Sequence, residues 1–137
     1  MVKAKEFWDL ICDKMDYRFF SGIPIATFKA VYDAMDPEVM HYVPAANEQI
    51  ALNASFGAYL SGFKSVTILP SYKIKLLDFS LIEQAKIPTL IITDKKVSIP
   101  TAINSECKSL RGLESFIRKI ETQCCLGILT VSKGGFK

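Results

Sequence analysis

Glu48 is the residue of this chain whose type and position are best suited to chemistry. It follows the apolar stretch 39–43, which is typical of a strand, and it comes directly after Asn47, which is typical of a helix N-cap. The glutamate therefore falls in the first turn of a predicted helix. A carboxylate there stabilises the helix dipole by about 0.3–1 kcal/mol. The same carboxylate could bind a ligand, and at this point both interpretations stay open.

The turn made by Gly22, Ile23 and Pro24 is a second candidate, because it joins a predicted strand to a predicted helix. Backbone N–H groups at such a junction can bind phosphate. However, Pro24 has no N–H, and the chain contains neither G-x-G-x-x-G nor G-x-x-x-x-G-K-[ST]. The turn alone therefore does not indicate a nucleotide site.

Cysteine and histidine spacing does not indicate a metal site in this chain. The four cysteines lie at 12, 107, 124 and 125 without a C-x-x-C spacing, and His41 is the single histidine. Standard zinc motifs need more ligands at closer spacing. We expect reduced thiols.

Length and composition predict one domain over residues 1–137, since a chain of 15.3 kDa is short for two. No apolar run approaches the ~18–20 residues of a membrane span, and early charges at Lys3, Lys5 and Glu6 interrupt any signal-peptide core. We expect a cytoplasmic protein that does not act on membranes. Its net charge of +3 is too small to indicate that it binds nucleic acid. The basic excess lies in 64–137, as scattered surface charge or as a positive rim for an anionic substrate.

Strand and helix patterns alternate along the chain. Strands are predicted at 17–21, 39–43, 65–69, 88–93 and 126–132, and helices at 4–15, 24–35, 47–60, 72–86 and 112–122, with 95–105 irregular or extended. This alternation predicts a doubly wound α/β domain, with a mainly parallel sheet and helices on both faces. Ligands of such domains bind at the carboxyl ends of strands, where both candidates fall.

Several stretches, in order, resemble the pyrimidine-binding domain of thiamine diphosphate enzymes, most closely the phosphonopyruvate and sulfopyruvate decarboxylases. They are AKEFW at 4–8, FSGIP at 20–24, AANE at 45–48 and GAYLSG at 57–62, followed by 87–92 and 127–134. The resemblance covers nearly the whole chain and is most specific over 47–62.

The resemblance implies a 2-oxo acid decarboxylase in which Glu48 hydrogen-bonds the ring nitrogen of the cofactor's aminopyrimidine. A carboxyl group in an apolar pocket can share a proton with that nitrogen. Gly22, Pro24 and Asn47 would line the cofactor pocket. Lys73 and Lys75 would hold the phosphonate or sulfonate of the substrate, although an exposed helix start is their alternative role.

The chain departs from this family in three places. Ile25 and Ala26 stand where the family has an acidic residue and a serine, and 69–75 lacks the glycines of the family's loop after the third strand. No aspartate is followed by glycine, so the family's Gly-Asp-Gly motif for magnesium and diphosphate is absent from this sequence.

We therefore expect a hetero-oligomer in which a partner subunit holds the diphosphate and Mg²⁺ of a shared thiamine diphosphate. Two alternatives remain open. One is a non-catalytic interaction module that keeps the fold and the pairing surface. The other is a flavodoxin-like or receiver-like domain, which the absence of a Ser/Thr-rich phosphate loop and of paired early aspartates disfavours.

Overall fold

The computed structural model describes residues 2–132 and 136. These residues form six strands: β1 (Tyr17–Gly22), β2 (His41–Pro44), β3 (Lys64–Ile68), β4 (Thr89–Thr93), β5 (Ala102–Glu106) and β6 (Leu126–Thr130). They build one sheet in the order β2-β1-β3-β4-β6-β5. Every neighbouring pair is parallel. One of the two central strands, β4, is buried along its whole length, as expected for a parallel sheet covered on both faces.

The helices connect the strands. They are α1 (Ala4–Trp8), α2 (Lys29–Asp33), α3 (Glu48–Leu60), α4 (Ser80–Ala85) and α5 (Leu110–Gln123). A π-helical stretch, Asp9–Lys14, continues α1, and 3₁₀ turns at Ala26–Phe28 and Ser71–Leu76 lie before α2 and α4. None of the helices in the described part of the chain has the length and apolar character that crossing a membrane requires.

Two hydrophobic cores lie on opposite faces of the sheet. The first face carries α1, α2 and α5, with buried side chains that include Phe7, Ile11, Val31 and Ile117. The second face carries α3, the 3₁₀ turn Ser71–Leu76 and α4, with Leu52, Ile74 and Ile82 among its buried side chains. The predicted doubly wound α/β fold is confirmed.

The segment 95–105, predicted to be irregular or extended, contains most of a strand that was not predicted as such, because β5 begins at Ala102 and ends at Glu106. Its sequence AINSE holds residues that are depleted in strands, and none of its residues is fully buried. As an edge strand, β5 pairs only with β6, so it needs few apolar side chains.

The prediction of one continuous helix over 72–86 is wrong. The chain is 3₁₀ over Ser71–Leu76, and Leu77 is then extended, with φ −75° and ψ 148°. The carboxylate of Asp78 accepts hydrogen bonds from the N–H and the hydroxyl of Ser80, at 2.9 and 2.6 Å. Such local side-chain bonds compete with helix formation, and α4 begins only after them.

The strand predicted at 39–43 is β2, which begins two residues later. The carbonyl of Asp36 accepts hydrogen bonds from the N–H groups of Val39 and Met40, at 3.1 and 3.0 Å. This turn keeps both residues out of the ladder. Pro44, which donates no hydrogen bond, is tolerated because β2 is an edge strand.

Candidate functional site

The topology predicts a ligand crevice over the carboxyl end of β1, because the chain leaves neighbouring strands toward opposite faces. It leaves β1 toward the first face, where Phe28 packs, and leaves β2 and β3 toward the second face, where Leu52 and Ile74 pack. Ligands of open α/β sheets bind at such switch points. We call this place the first crevice.

Asn47 fixes the start of α3 and thereby the position of Glu48 at the first crevice. Its backbone is extended, and its Oδ1 accepts a hydrogen bond from the N–H of Ile50 at 2.9 Å, so it is the predicted N-cap. At the other end of α3, Gly62 has φ +95°, the left-handed conformation that follows many helices. Both ends predicted for α3 are thus confirmed.

The side chain of Glu48 is largely buried, and its carboxylate has no strong partner among the described residues. Its residue is only 6% exposed, and its nearest charged group is the ammonium of Lys73, with 3.9 Å between Nζ and Oε2. No residue of 2–132 or 136 donates a hydrogen bond to this carboxylate. Burying a charge costs free energy unless the charge is paired and hydrogen-bonded. A donor supplied by a ligand would satisfy it, and a protonated ring nitrogen of an aminopyrimidine has that chemistry.

Gly22 is a glycine because two neighbouring strand ends approach it closely. A Cβ atom on Gly22 would lie 2.0 Å from the carbonyl oxygen of Ile68. That carbonyl accepts the N–H of Ile23 at 3.1 Å, and the carbonyl of Gly22 accepts the N–H of Ala45 at 3.0 Å. Gly22 therefore joins the ends of β1, β2 and β3 and forms the floor of the first crevice.

The two residues after this turn have different surroundings. Pro24 is exposed, whereas Ile25 is buried in the core of the first face, at 6% exposure. The N–H of Ile25 donates to the hydroxyl of Tyr32 at 3.2 Å. The position at which the resembling family has an acidic residue thus holds an apolar side chain that belongs to the core.

A chain of buried hydroxyl groups attaches α3 to β1 and β3, which the sequence analysis did not predict. Thr67 donates to Ser55 at 2.8 Å, Ser55 and Ser21 are 2.5 Å apart, and Ser21 donates to the carbonyl of Ala51 at 2.7 Å. Because the Ser21 hydroxyl is already a donor, Ser55 is the donor between the two. A signal was available, since Ser21 and Thr67 are polar residues inside apolar strands.

Gln49 was also missed, and it positions the segment that carries Lys73. Its Oε1 accepts the N–H of Asp78 at 2.9 Å, and its Nε2 donates to the carbonyl of Asp78 at 3.2 Å. These bonds attach the chain after Ser71–Leu76 to the first turn of α3. Lys73 thereby reaches Glu48. Lys75, also expected near the substrate, is exposed and makes no ion pair with a described residue.

The chain resembles solved structures in its fold. No protein-family model matches the chain, and no curated protein matches it. The chain is similar to 2-oxoglutarate:ferredoxin oxidoreductase from Magnetococcus marinus, whose structure holds 2-oxoglutarate, coenzyme A and succinyl-CoA. The TM-score is 0.65 at 17% identity, and the match covers 98% of this chain but only 29% of that enzyme's chain. At this identity the likeness establishes the doubly wound fold.

Proposed function

We propose that this chain is the pyrimidine-binding subunit of a thiamine-diphosphate-dependent 2-oxo acid decarboxylase of the phosphonopyruvate or sulfopyruvate type. A second subunit would hold the diphosphate and Mg²⁺. The observation that carries the proposal is Glu48, a buried carboxylate at a switch-point crevice that has no hydrogen-bond donor among the described residues. Glu48 is also the last residue of AANE at 45–48, one of the stretches that resemble the family.

Each residue of the first crevice has a defined part in this proposal. When bound, thiamine diphosphate supplies the electron sink that a 2-oxo acid needs in order to lose carbon dioxide. Glu48 holds a proton at the ring nitrogen of the pyrimidine, and its burial excludes water from that hydrogen bond. Asn47 orients Glu48 by capping α3, and Gly22 keeps the floor free of side-chain atoms.

The structural neighbour supports the substrate class. The similar enzyme is a 2-oxoglutarate:ferredoxin oxidoreductase, and 2-oxoglutarate is a 2-oxo acid. This chain spans less than a third of the length of that enzyme's chain.

Lys73 is proposed to select substrates that carry a second acidic group. Its ammonium lies 3.9 Å from Glu48 and is half exposed, at 53% of the side chain. A hydrogen bond between Glu48 and the cofactor would leave Lys73 available for a phosphonate or sulfonate. Lys75, two residues away on the same 3₁₀ turn, would add a second positive charge.

The test uses the assembly purified from its native cells through a tag on this chain. In that assembly, Glu48→Gln should lower carbon dioxide release from phosphonopyruvate or sulfopyruvate by about 10²–10⁴-fold, because a positioned proton is lost. Glu38→Gln, an exposed glutamate outside the crevice, is the matched control. Unchanged turnover in the Glu48 variant would refute the proposal.

One observation favours the non-catalytic alternative, namely that Ile25 is a core residue where the family has an acidic group. An assembly that binds thiamine diphosphate but releases no carbon dioxide from any 2-oxo acid would favour this alternative. Calorimetry with thiamine diphosphate and Mg²⁺ on this chain alone separates a further case. Tight binding without a partner would contradict a site divided between two subunits.

A further inference from the structure

A second crevice lies over the carboxyl end of β6. The chain leaves β4 toward the second face, where Val97 is buried, and leaves β5 toward the first face, where α5 packs. β6 lies between these two strands. The chain segments that follow β4 and β5 therefore diverge over the end of β6, as the segments around β1 do. Ligands of open α/β sheets bind at such switch points.

A cavity of about 480 Å³ occupies the second crevice. It exists because the crossover from β4 to β5, residues 94–101, contains no helix. The outer part of β5 on the second face, at Asn104 and Glu106, is consequently left exposed. The volume lies within the range of about 300–1,000 Å³ that is typical of small-molecule sites.

The acceptor groups in this cavity already accept some hydrogen bonds from groups of the protein itself. Oδ1 of Asp94 accepts the N–H of Ser71 at 3.1 Å, and Oε1 of Glu106 accepts the hydroxyl of Ser132 at 3.0 Å. The backbone of the floor is paired as well, since the carbonyl of Thr130 accepts the N–H of Cys107 at 2.8 Å. Each carboxylate keeps one further oxygen for a ligand hydroxyl.

The donor groups, in contrast, are free. Lys95 and Lys96 are exposed, line the cavity and make no ion pair with any residue in the described ranges. Thr130, on the same face as Asn104 and Glu106, lines it too, and its hydroxyl makes no side-chain hydrogen bond within those ranges. Two ammonium groups beside a hydroxyl group suit a phosphate, whose oxygens are strong acceptors.

We propose that the second crevice binds a sugar phosphate. Lys95 and Lys96 hold the phosphate together with the hydroxyl group of Thr130, and the free oxygens of Asp94 and Glu106 accept hydrogen bonds from the sugar hydroxyls. Every lining residue named belongs to this chain, and the proposal does not rest on the proposed function.

The test is calorimetric titration of the whole chain with ribose 5-phosphate as the probe. We expect binding that weakens about tenfold or more in a Lys95→Ala/Lys96→Ala variant, because hydrogen bonds to charged groups are lost. Unphosphorylated ribose should bind at least about tenfold more weakly than ribose 5-phosphate for the same reason. Both lysines are exposed, so the variant should fold, which circular dichroism checks.

A charge-matched control locates the site. Lys86→Ala/Lys119→Ala removes the same two charges at exposed positions outside both crevices and should change the dissociation constant for ribose 5-phosphate less than about twofold, because surface charges at a distance are screened by salt. The proposal is wrong if the probe does not bind, if ribose binds equally well, or if the control loses binding while the Lys95/Lys96 variant keeps it.

Discussion

At the scale of single residues, Gly22 and Gly57 should respond in opposite ways to substitution by alanine. In Gly22→Ala, the new methyl group would lie 2.0 Å from a backbone oxygen that cannot move freely, so the ends of β1 and β3 must separate. We expect the free energy of unfolding to fall by about 1–3 kcal/mol, the usual cost of overpacking. Urea denaturation monitored by circular dichroism measures it.

Gly57→Ala is the matched control for this substitution. A Cβ atom there meets no atom within 4 Å, and the residue is exposed on α3. Because alanine favours helices, this variant should gain about 0.5–1 kcal/mol. Equal effects of the two substitutions would show that the close approach at Gly22 is not a constraint.

Individual residues of the candidate site were predictable to different degrees. Glu48 and its cap Asn47 could be placed from local sequence, because capping depends on residues a few positions apart. The contact between Glu48 and Lys73 could not, since it depends on the path of the chain after β3. The burial of Ile25 likewise follows from tertiary packing.

At the scale of elements, α3 is held on the sheet by the hydroxyl chain from Thr67 through Ser55 to Ser21. In Ser55→Ala, the buried hydroxyl of Thr67 loses its acceptor, and Ser21 loses a donor. An unsatisfied buried polar group costs about 1–3 kcal/mol, so the free energy of unfolding should fall by that amount in urea denaturation.

Ser61→Ala, at the exposed end of the same helix, provides the comparison. Its hydroxyl bonds only to the carbonyl of Gly57, at 3.0 Å, and exposed substitutions usually change stability by less than about 0.5 kcal/mol. If Ser55→Ala were equally neutral, the hydroxyl chain would not contribute to holding α3.

The segment after β3 depends on Gln49 for its attachment. In Gln49→Ala, the N–H of Asp78 loses its acceptor, and the segment that carries Lys73 loses both bonds to α3. Hydrogen exchange at the amide of Asp78 should speed up about fivefold or more, since a hydrogen bond of about 1 kcal/mol is removed. Gln84→Ala, on exposed α4, should leave that rate unchanged. Equal rates in all three proteins would contradict this attachment.

The elements could be predicted where local signals agree with packing. The apolar strands β3 and β4 and the capped helix α3 satisfy this condition. β5 does not satisfy this condition. It is an edge strand that is defined by its pairing with β6, and sequence periodicity does not report strand pairing. The helix predicted over 72–86 failed because a side-chain turn at Asp78 interrupts an otherwise helical composition.

At the scale of the whole molecule, the alternation of strands and helices was sufficient to predict a parallel sheet that is covered on both faces. It did not give the strand order on the β5 side, where the chain passes β6 and returns. That reversal creates the second crevice, so the cavity there could not have been expected from motifs alone.

The core of the first face makes the molecule sensitive to alkali. Burial raises the pKa of the Cys12 thiol to about 11, whereas a thiol in an unfolded chain titrates near 8.5. Between these values the unfolded chain binds fewer protons, so the free energy of unfolding falls as pH rises. The stabilisation is complete below about pH 8.5, and Cys107, whose pKa burial also raises, acts in the same direction.

We therefore expect Cys12 alone to account for a fall of about 1 kcal/mol in the free energy of unfolding between pH 8 and 9.5. Urea denaturation at both pH values, with a reductant present, measures the difference. Cys12→Ala should lower stability at pH 8 but reduce its pH dependence, because the titrating core thiol is gone. Cys124→Ala, at an exposed thiol, should keep the wild-type pH dependence. A pH dependence unchanged by Cys12→Ala would mean that the thiol is not held in the apolar core on which the first face depends.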